Sequence, residues 1–307
     1  MANVFHSGEL EIQAKFGELE IAGQIGQMIQ KSIPPRAVGF LEAQTNALVS
    51  SMDASGAIWV SFLIADGPIV TVDGPEEMSI NRTKIVSSEH DILYANLNAN
   101  SEVGLLFIIL AERKRYRING KLKLSETRMK VKVNEAYGNC PKYIQRRSVS
   151  VPTTASKSSQ IQKGDSLQPH HLEWIKSADT LFLGTQSNDF NMDMSHRGGN
   201  PGFVEVIDDG VLKIPDYQGN MMYNSLGNIA QNGKAGLLFV DYKNKRVLQL
   251  SGKASLLFDQ DGEEDAVKTT GTGRYWLFHT KAWVETDKHH NMDWEYIDAS
   301  PFNPEIN

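Results

Sequence analysis

The densest grouping of chemically capable side chains lies between residues 191 and 230, NMDMSHRGGNPGFVEVIDDGVLKIPDYQGNMMYNSLGNIA. Ser195, His196 and Arg197 stand together and run straight into Gly198, Gly199 and, soon after, Pro201. Further on, Gly219, Asn220, Asn224 and Ser225 lead into an apolar-periodic run. A guanidinium brings permanent charge and a planar fork of donors, and small hydroxyls with the amides of a helix start add partnerless O–H and N–H groups. Glycines let the backbone come close. Together these are the donors that an anion such as a phosphate requires, and no other stretch gathers so many polar groups beside glycine. Structural readings compete with this one: Arg197 capping a turn, His196 bonded to a carbonyl, Asn224-Ser225 as a helix N-cap. A cap and a phosphate use the same orphan amides, so those two readings overlap.

To hold these groups the chain needs a strand ending at the cluster, a hairpin turned by Asp208, Asp209 and Gly210, and a helix beginning near Asn224. Upstream, residues 1–36 read as an N-terminal helical arm. Leu19, Ile21, Ile25, Met28 and Ile29 share a helical face over residues 18–30, and Pro34-Pro35 ends the run. This arm reads as packing without chemistry. Short β-branched and aromatic runs at 46–52, 57–64 and 68–72 predict strands, residues 91–98 a short helix, and VGLLFIIL a strand covered on both faces. Residues 113–124, RKRYRINGKLKL, alternate basic with apolar groups and place five cations in an acidic protein: Arg113, Lys114, Arg115, Arg117 and Lys121. A solvated strand face and an anion-facing role are both open for them. Residues 131–145 predict a strand, a turn at Gly138-Asn139 and the start of a helix. Residues 148–168, rich in Ser, Thr, Gln and Lys, read as a linker or extended crossing. A helix follows at 169–177, and strands resume at Thr180.

The second half repeats the first. VGLLF returns as AGLLF and INGKLKL as LSGKASL, with Gly104 and Gly236, and Gly120 and Gly252, each 132 residues apart. LYANLNANSEVGLLF aligns without a gap on SLGNIAQNGKAGLLF, and Leu41-Glu42 matches Leu172-Glu173 at an offset of 131. A constant offset across helix, strand and turn predicts two copies of one β-rich domain of about 110–130 residues. The expected fold class is mainly β, two tandem small antiparallel barrels forming a covalent pseudo-dimer, with domains at 37–147 and 169–307. The first copy has VSFLIADGPIVTV where the second has MDMSHRGGNPGFVEV, so one functional site is expected, carried by the second half and walled by the first.

Composition narrows the function classes. The chain has 307 residues, 40% hydrophobic and 22% charged, with a net charge of −6, which argues against nucleic acid as the main partner. Cys140 is the single cysteine, so neither an intrachain disulfide nor a thiolate cluster is available; in a packed turn before Pro141 it reads as a small hydrophobe rather than a reactive thiol. The longest apolar run, residues 103–111, is too short for a bilayer. A cytoplasmic setting without membrane attachment is the expectation. His170-His171 and His289-His290 invite a metal reading, but adjacent histidines are expected to point apart and no carboxylates flank them at ligand spacing, so no metal is predicted. No Ser-His-Asp grouping or carboxylate pair is visible, leaving a bound cofactor as the tool for any chemistry.

FHSGELEIQ, RINGK, NCPKYIQ, SHRGGNPGFV and NSLGNIAQN resemble the tandem-domain members of the pyridoxamine 5′-phosphate oxidase-like, FMN-binding split-barrel family, over about residues 5–285. The resemblance implies a split barrel in each half and a flavin at the interface between barrels. It implies FMN-phosphate contacts from Ser195, His196 and Arg197, with Met194 beside them, from Asp216, Tyr217 and Gln218, and from Asn220, Asn224 and Ser225. It also implies an oxidoreductase using non-covalent FMN on a small-molecule substrate, an electron donor such as NAD(P)H or a reductase, and a homodimer. A non-catalytic flavin- or haem-binding sensing module, or a deazaflavin in place of FMN, remains open. The C-terminal tryptophan-to-arginine segment of the true pyridoxamine-phosphate oxidases has no counterpart beyond WEYIDASP, so the resemblance does not extend to pyridoxal phosphate synthesis.

Overall fold

The two halves fold into sheets of the same strand order. The computed structural model describes residues 4–150, 159–208 and 210–305. The chain opens with helices α1 (Ser7–Lys15), α2 (Leu19–Gly26) and α3 (Pro35–Glu42), followed by strands β1 (Asn46–Met52), β2 (Ile58–Ile64), β3 (Val70–Gly74) and β4 (Glu77–Asn81). Helix α4 (Ile92–Ala99) precedes β5 (Glu102–Ile109), β6 (Lys114–Leu124), β7 (Arg128–Gly138), β8 (Arg146–Ser150) and β9 (Gln160–Gly164). The second half contains α5 (Pro169–Ser177), β10 (Thr180–Gln186), β11 (Met192–Gly198), β12 (Glu205–Asp208), β13 (Val211–Pro215) and α6 (Asn224–Asn232). It ends with β14 (Lys234–Asp241), β15 (Arg246–Leu257), α7 (Glu263–Lys268), β16 (Tyr275–Asp287) and β17 (Asp293–Asp298).

The first sheet runs β2-β1-β5-β6-β7-β4-β3 and the second β11-β10-β14-β15-β16-β13-β12. Replacing each strand by its counterpart turns one order into the other, and both sheets are antiparallel throughout their main path. In the first half all seven strands feed one core, from Val49 and Leu63 at one end of the sheet to Val70 and Met78 at the other. A sheet whose two ends pack on the same core is rolled into a barrel. The second half repeats this around Leu183, Leu237, Leu250, Trp276 and Phe278. The chain is therefore a tandem pair of split barrels, mainly β.

A third core joins the barrels: Leu48, Val60, Phe62, Leu106 and Ile108 meet Phe182, Met194, Leu238 and Val247. The repeated glycines explain themselves here. A Cβ at Gly104 would lie 2.7 Å from the Asp193 carbonyl carbon, and one at Gly236 would lie 2.5 Å from the Ile58 oxygen. Both are points where one barrel's backbone touches the other's. Gly120 and Gly252 instead sit at matching register shifts between β6 and β7 and between β15 and β16.

Several expectations need correction. Pro34-Pro35 does not only end a helix; Pro35 opens α3 at its first position, where a missing N–H costs nothing. The arm is two helices, not one. No helix starts after Cys140: Tyr143 has φ 65°, which breaks helical continuity, and β8 follows. The supposed linker at 148–168 is strand at both described ends, since β8 pairs with β17 and β9 with β16; residues 151–158 and the turn residue Asp209 lie outside the described residues. No helix among the described residues is long and apolar enough to cross a membrane.

Candidate functional site

Strand β11 lies at one end of the second sheet, with only β10 as its neighbour. Alternation along a strand puts Asp193, Ser195 and Arg197 on one face and Met194 and His196 on the other. β6 of the first barrel crosses near it and offers Arg115 and Arg117, again two residues apart. The start of α6 closes the third side. The residue before it, Tyr223, is left-handed (φ 59°) and makes no side-chain cap, so the first amides of α6 have no internal partner.

Arg117 is the hub. It is 4% exposed, and its Nη1 lies 2.5 Å from Asp193 Oδ1. It also donates to Tyr137 Oη at 2.7 Å, Ser195 Oγ at 2.7 Å and Asn224 Oδ1 at 3.3 Å. Ser195 and Ser225 hydroxyls are 2.9 Å apart, and Ser225 donates to Asp193 Oδ2 at 3.2 Å. Burial disfavours the Arg117 charge more than any single neighbour favours it, but Asp193, Tyr137 and Glu135 together outweigh burial and the pKa is raised. One layer outward, Arg197 Nη1 donates to Asp216 Oδ1 at 3.0 Å, and Arg274 Nε donates to Asp216 Oδ2 at 3.1 Å. Arg115 donates through Nε to the Cys140 carbonyl and through Nη1 to the His196 carbonyl. Burial pushes its pKa down to about 10, which leaves it cationic at neutral pH. The cluster thus sets four guanidiniums (Arg115, Arg117, Arg197, Arg274) against two directly ion-paired carboxylates (Asp193, Asp216), with Glu135 a further acid acting on Arg117, and Arg117 Nε and Arg197 Nε are buried without a hydrogen-bond partner among the described atoms.

Of the residues named from sequence, Ser195, His196, Arg197, Asp216, Tyr217, Asn220, Asn224 and Ser225 all line one cavity. Met194 does not: it is fully buried in the core between the barrels, on the opposite face of β11. Gln218 is exposed, does not line the cavity and contributes a carbonyl to Tyr143 Oη at 3.2 Å. Asp216 cannot greet an anion; it orients Arg197 and Arg274. His196 is not bonded to a carbonyl through its ring. Among the described residues both ring nitrogens are buried without a hydrogen-bond partner, the ring meets Phe182 edge-on at 5.6 Å, and burial with the nearby charges of Arg115, Arg197 and Arg147 keeps it neutral.

Sequence reading left Arg115 and Arg117 between two roles; Arg113 instead pairs with Asp298, and Lys114 and Lys121 are exposed. Asp193 went unnamed although it shares a strand face with Ser195 and Arg197. Arg274, Tyr143 and Glu9 carried no local signal. Glu9 of α1 accepts from Asn224 Nδ2 at 2.5 Å, so the arm reaches the site after all. Burial raises the pKa of Glu9 to about 8. The Tyr143 and Tyr217 rings both line the cavity, 4.8 Å apart and tilted by 33°, and its volume is about 100 Å³.

The histidine pair at 170–171 does not splay apart. The rings lie 4.1 Å apart, and both Nε2 atoms reach Glu285 Oε2, at 2.8 and 3.0 Å. This is the one described group with metal-ligand spacing. Its hydrogen bonds suit a proton better than a metal: His171 Nδ1 accepts the Gln168 amide, so a neutral ring must carry its hydrogen on Nε2, facing Glu285. Arg246 takes the other Glu285 oxygen at 3.2 Å.

No protein-family model matches the chain. No curated protein matches it either. Among solved structures, HupZ of Group A Streptococcus is similar at 14% identity and TM-score 0.31, covering 44% of this chain and 98% of its own. A NimC/NimA family protein of Clostridium acetobutylicum shows 17% identity and TM-score 0.30, with 41% and 91% covered. A second C. acetobutylicum protein, related to general stress protein 26 and of the pyridoxinephosphate oxidase family, shows 16% and 0.27, with 42% and 92% covered. Each alignment takes in less than half of this chain.

Proposed function

We propose that the chain binds FMN without a covalent bond and acts as an oxidoreductase on a small molecule. The carrying observation is the surplus of guanidinium over carboxylate, gathered where the uncapped start of α6 meets the seam between barrels. A phosphate dianion matches that surplus, and the orphan Nε atoms of Arg117 and Arg197 supply donors for it. Arg197, Arg115, Ser195 and the α6 amides beginning at Asn224 and Ser225 would hold the phosphate. Asp216 keeps Arg197 in place for it. The cavity of about 100 Å³ suits a phosphate group, whereas small-molecule pockets run to about 300–1,000 Å³, so the flavin ring would need room beyond this cavity. Bound FMN would supply hydride or electron transfer at its ring. The protein's own residues orient it, shield it from water between the barrels, and surround it with a neutral His196.

The test is direct. Purified protein should show flavin absorbance or take up added FMN, and Arg197→Ala should abolish both. A colourless protein that takes up no FMN refutes the proposal. A second reading, a module that holds its ligand without turnover, is favoured by one observation: Asp216, the sole carboxylate lining the cavity among the described residues, is tied up by two arginines. Reduction of the bound flavin by NAD(P)H or a reductase, followed by reoxidation by a substrate, decides for the enzyme.

A further inference from the structure

The duplication implies a second site related to the first by the pseudo-twofold, and the register says which residues should form it. Leu48 pairs with Phe62 as Phe182 pairs with His196, so Ser61 stands in the place of Ser195 and Leu63 in that of Arg197. The offset of 132 puts Val247 and Gln249 at the places of Arg115 and Arg117, and Ile92 and Leu93 at those of Asn224 and Ser225. Across the next ladder Ile118 pairs with Ala136 as Leu250 pairs with Trp283. The same step carries Lys142 onto His289.

The twin keeps a polar floor but has lost its cations. Ser61 Oγ donates to Asp91 Oδ1 at 2.5 Å, and Gln249 Nε2 donates to Ser61 Oγ at 3.2 Å and to the Val60 carbonyl at 2.8 Å. Asp91 also accepts the Leu93 amide at 2.9 Å. It therefore caps α4 with a carboxylate of its own, where the start of α6 is left open. No guanidinium replaces Arg115, Arg117 or Arg197. Leu63 and Val247 are fully buried, and His289, 1% exposed, sets its Nε2 2.7 Å from the Phe62 carbonyl. Arg115 makes the equivalent contact, to the His196 carbonyl, in the open site. The imidazole occupies the twin's space, and Asp91 would repel any anion that reached it.

We infer that the molecule is functionally one-sided: it holds one phosphate-bearing ligand per chain, and its twin site is permanently closed by His289, Asp91 and an apolar layer. This rests on the FMN reading for the identity of the ligand, but not for the closure. The experiment is an equilibrium titration of the full chain with FMN, followed by flavin absorbance, together with maleimide labelling in a Cys140→Ser background. One FMN bound per chain, lost entirely in Arg197→Ala, is expected; two per chain, or one remaining in Arg197→Ala, overturns the inference. If no FMN binds, the functional proposal fails, and labelling decides the closure alone. Ser195→Cys should then label in the native state and Ser61→Cys, on the floor of the twin, only in denaturant. Native labelling of Ser61→Cys at the rate of Ser195→Cys overturns the closure, whereas protection upholds it. His289→Ala, which empties the imidazole volume without adding a cation, should raise Ser61→Cys labelling; no rise would show that the ring does not seal the twin.

Discussion

Replacing Arg117 by methionine should destabilise the protein more than any other change at the site, because this side chain holds the two barrels to one electrostatic centre. Arg117 and Asp193 are each 5% exposed at the side chain and 2.5 Å apart. Asp193 Oδ1 has no aligned hydrogen bond of its own, so its charge depends on proximity to the guanidinium. Removing one member of a buried pair leaves the other uncompensated, at a cost of about 3–5 kcal/mol, a shift of roughly two to four orders of magnitude in the folded-to-unfolded ratio. Tyr137 Oη would lose its 2.7 Å donor, while Ser195 would keep Ser225. The assay is urea unfolding at pH 7 of Arg117→Met, Asp193→Asn and the double variant. Most of the loss should return in the double variant, since the orphaned charge is then gone and the substituted amide can still accept from Ser225. A loss below about 1 kcal/mol in Arg117→Met, or a double variant as unstable as the two single losses added, would refute this account.

Three further outcomes can be measured. Burial raises Glu9 to about 8 from an ordinary 4.5; between those values the unfolded chain sheds the proton first, so this group's contribution to stability is full below pH 4.5 and is lost as pH rises through 8. Glu9→Gln should flatten that slope and be more stable than wild type at pH 8, and an unchanged slope in thermal melts from pH 5 to 8 would sink the assignment. A Cβ at Gly227 would lie 2.6 Å from the Glu9 amide nitrogen, where α1 crosses α6, so Gly227→Ala should cost about 1–3 kcal/mol and make residues 4–15 a target for limited proteolysis. Because the hydrogen of His171 Nε2 faces Glu285, neither added zinc nor a chelator should shift the melting temperature; a rise with zinc that His171→Ala removes would show that the cluster takes a metal.

How much was legible in the sequence depends on the range of the interaction. Repeats and local patterns read well: the matched glycines gave the duplication, and a short strand-forming run bounded by turn residues gave Asn46–Met52 as a strand to the residue. The cluster Ser195–Arg197 and the helix start at Asn224 were visible because donors, glycines and a helix boundary are all encoded within a few residues. Period-two alternation already separated Met194 from Ser195, so Met194 was a misreading of available information. Arg117 is different. Its position on a strand face was readable, but whether that face met water, its own core or the other barrel depended on strand order and on the approach of β11 across the seam. Likewise His170 and His171 meet at Glu285 only because β16 runs beneath α5, and the linker-like composition around β8 and β9 forms strands only because β17 and β16 offer open edges. The sequence by itself determined the two barrels and the donor-rich stretch; the tertiary structure decided which arginines face that stretch, which acids neutralise them, and that its twin is filled. Local periodicity fixes where a side chain points relative to its own strand, while the charge and space it meets are set by residues a hundred positions away.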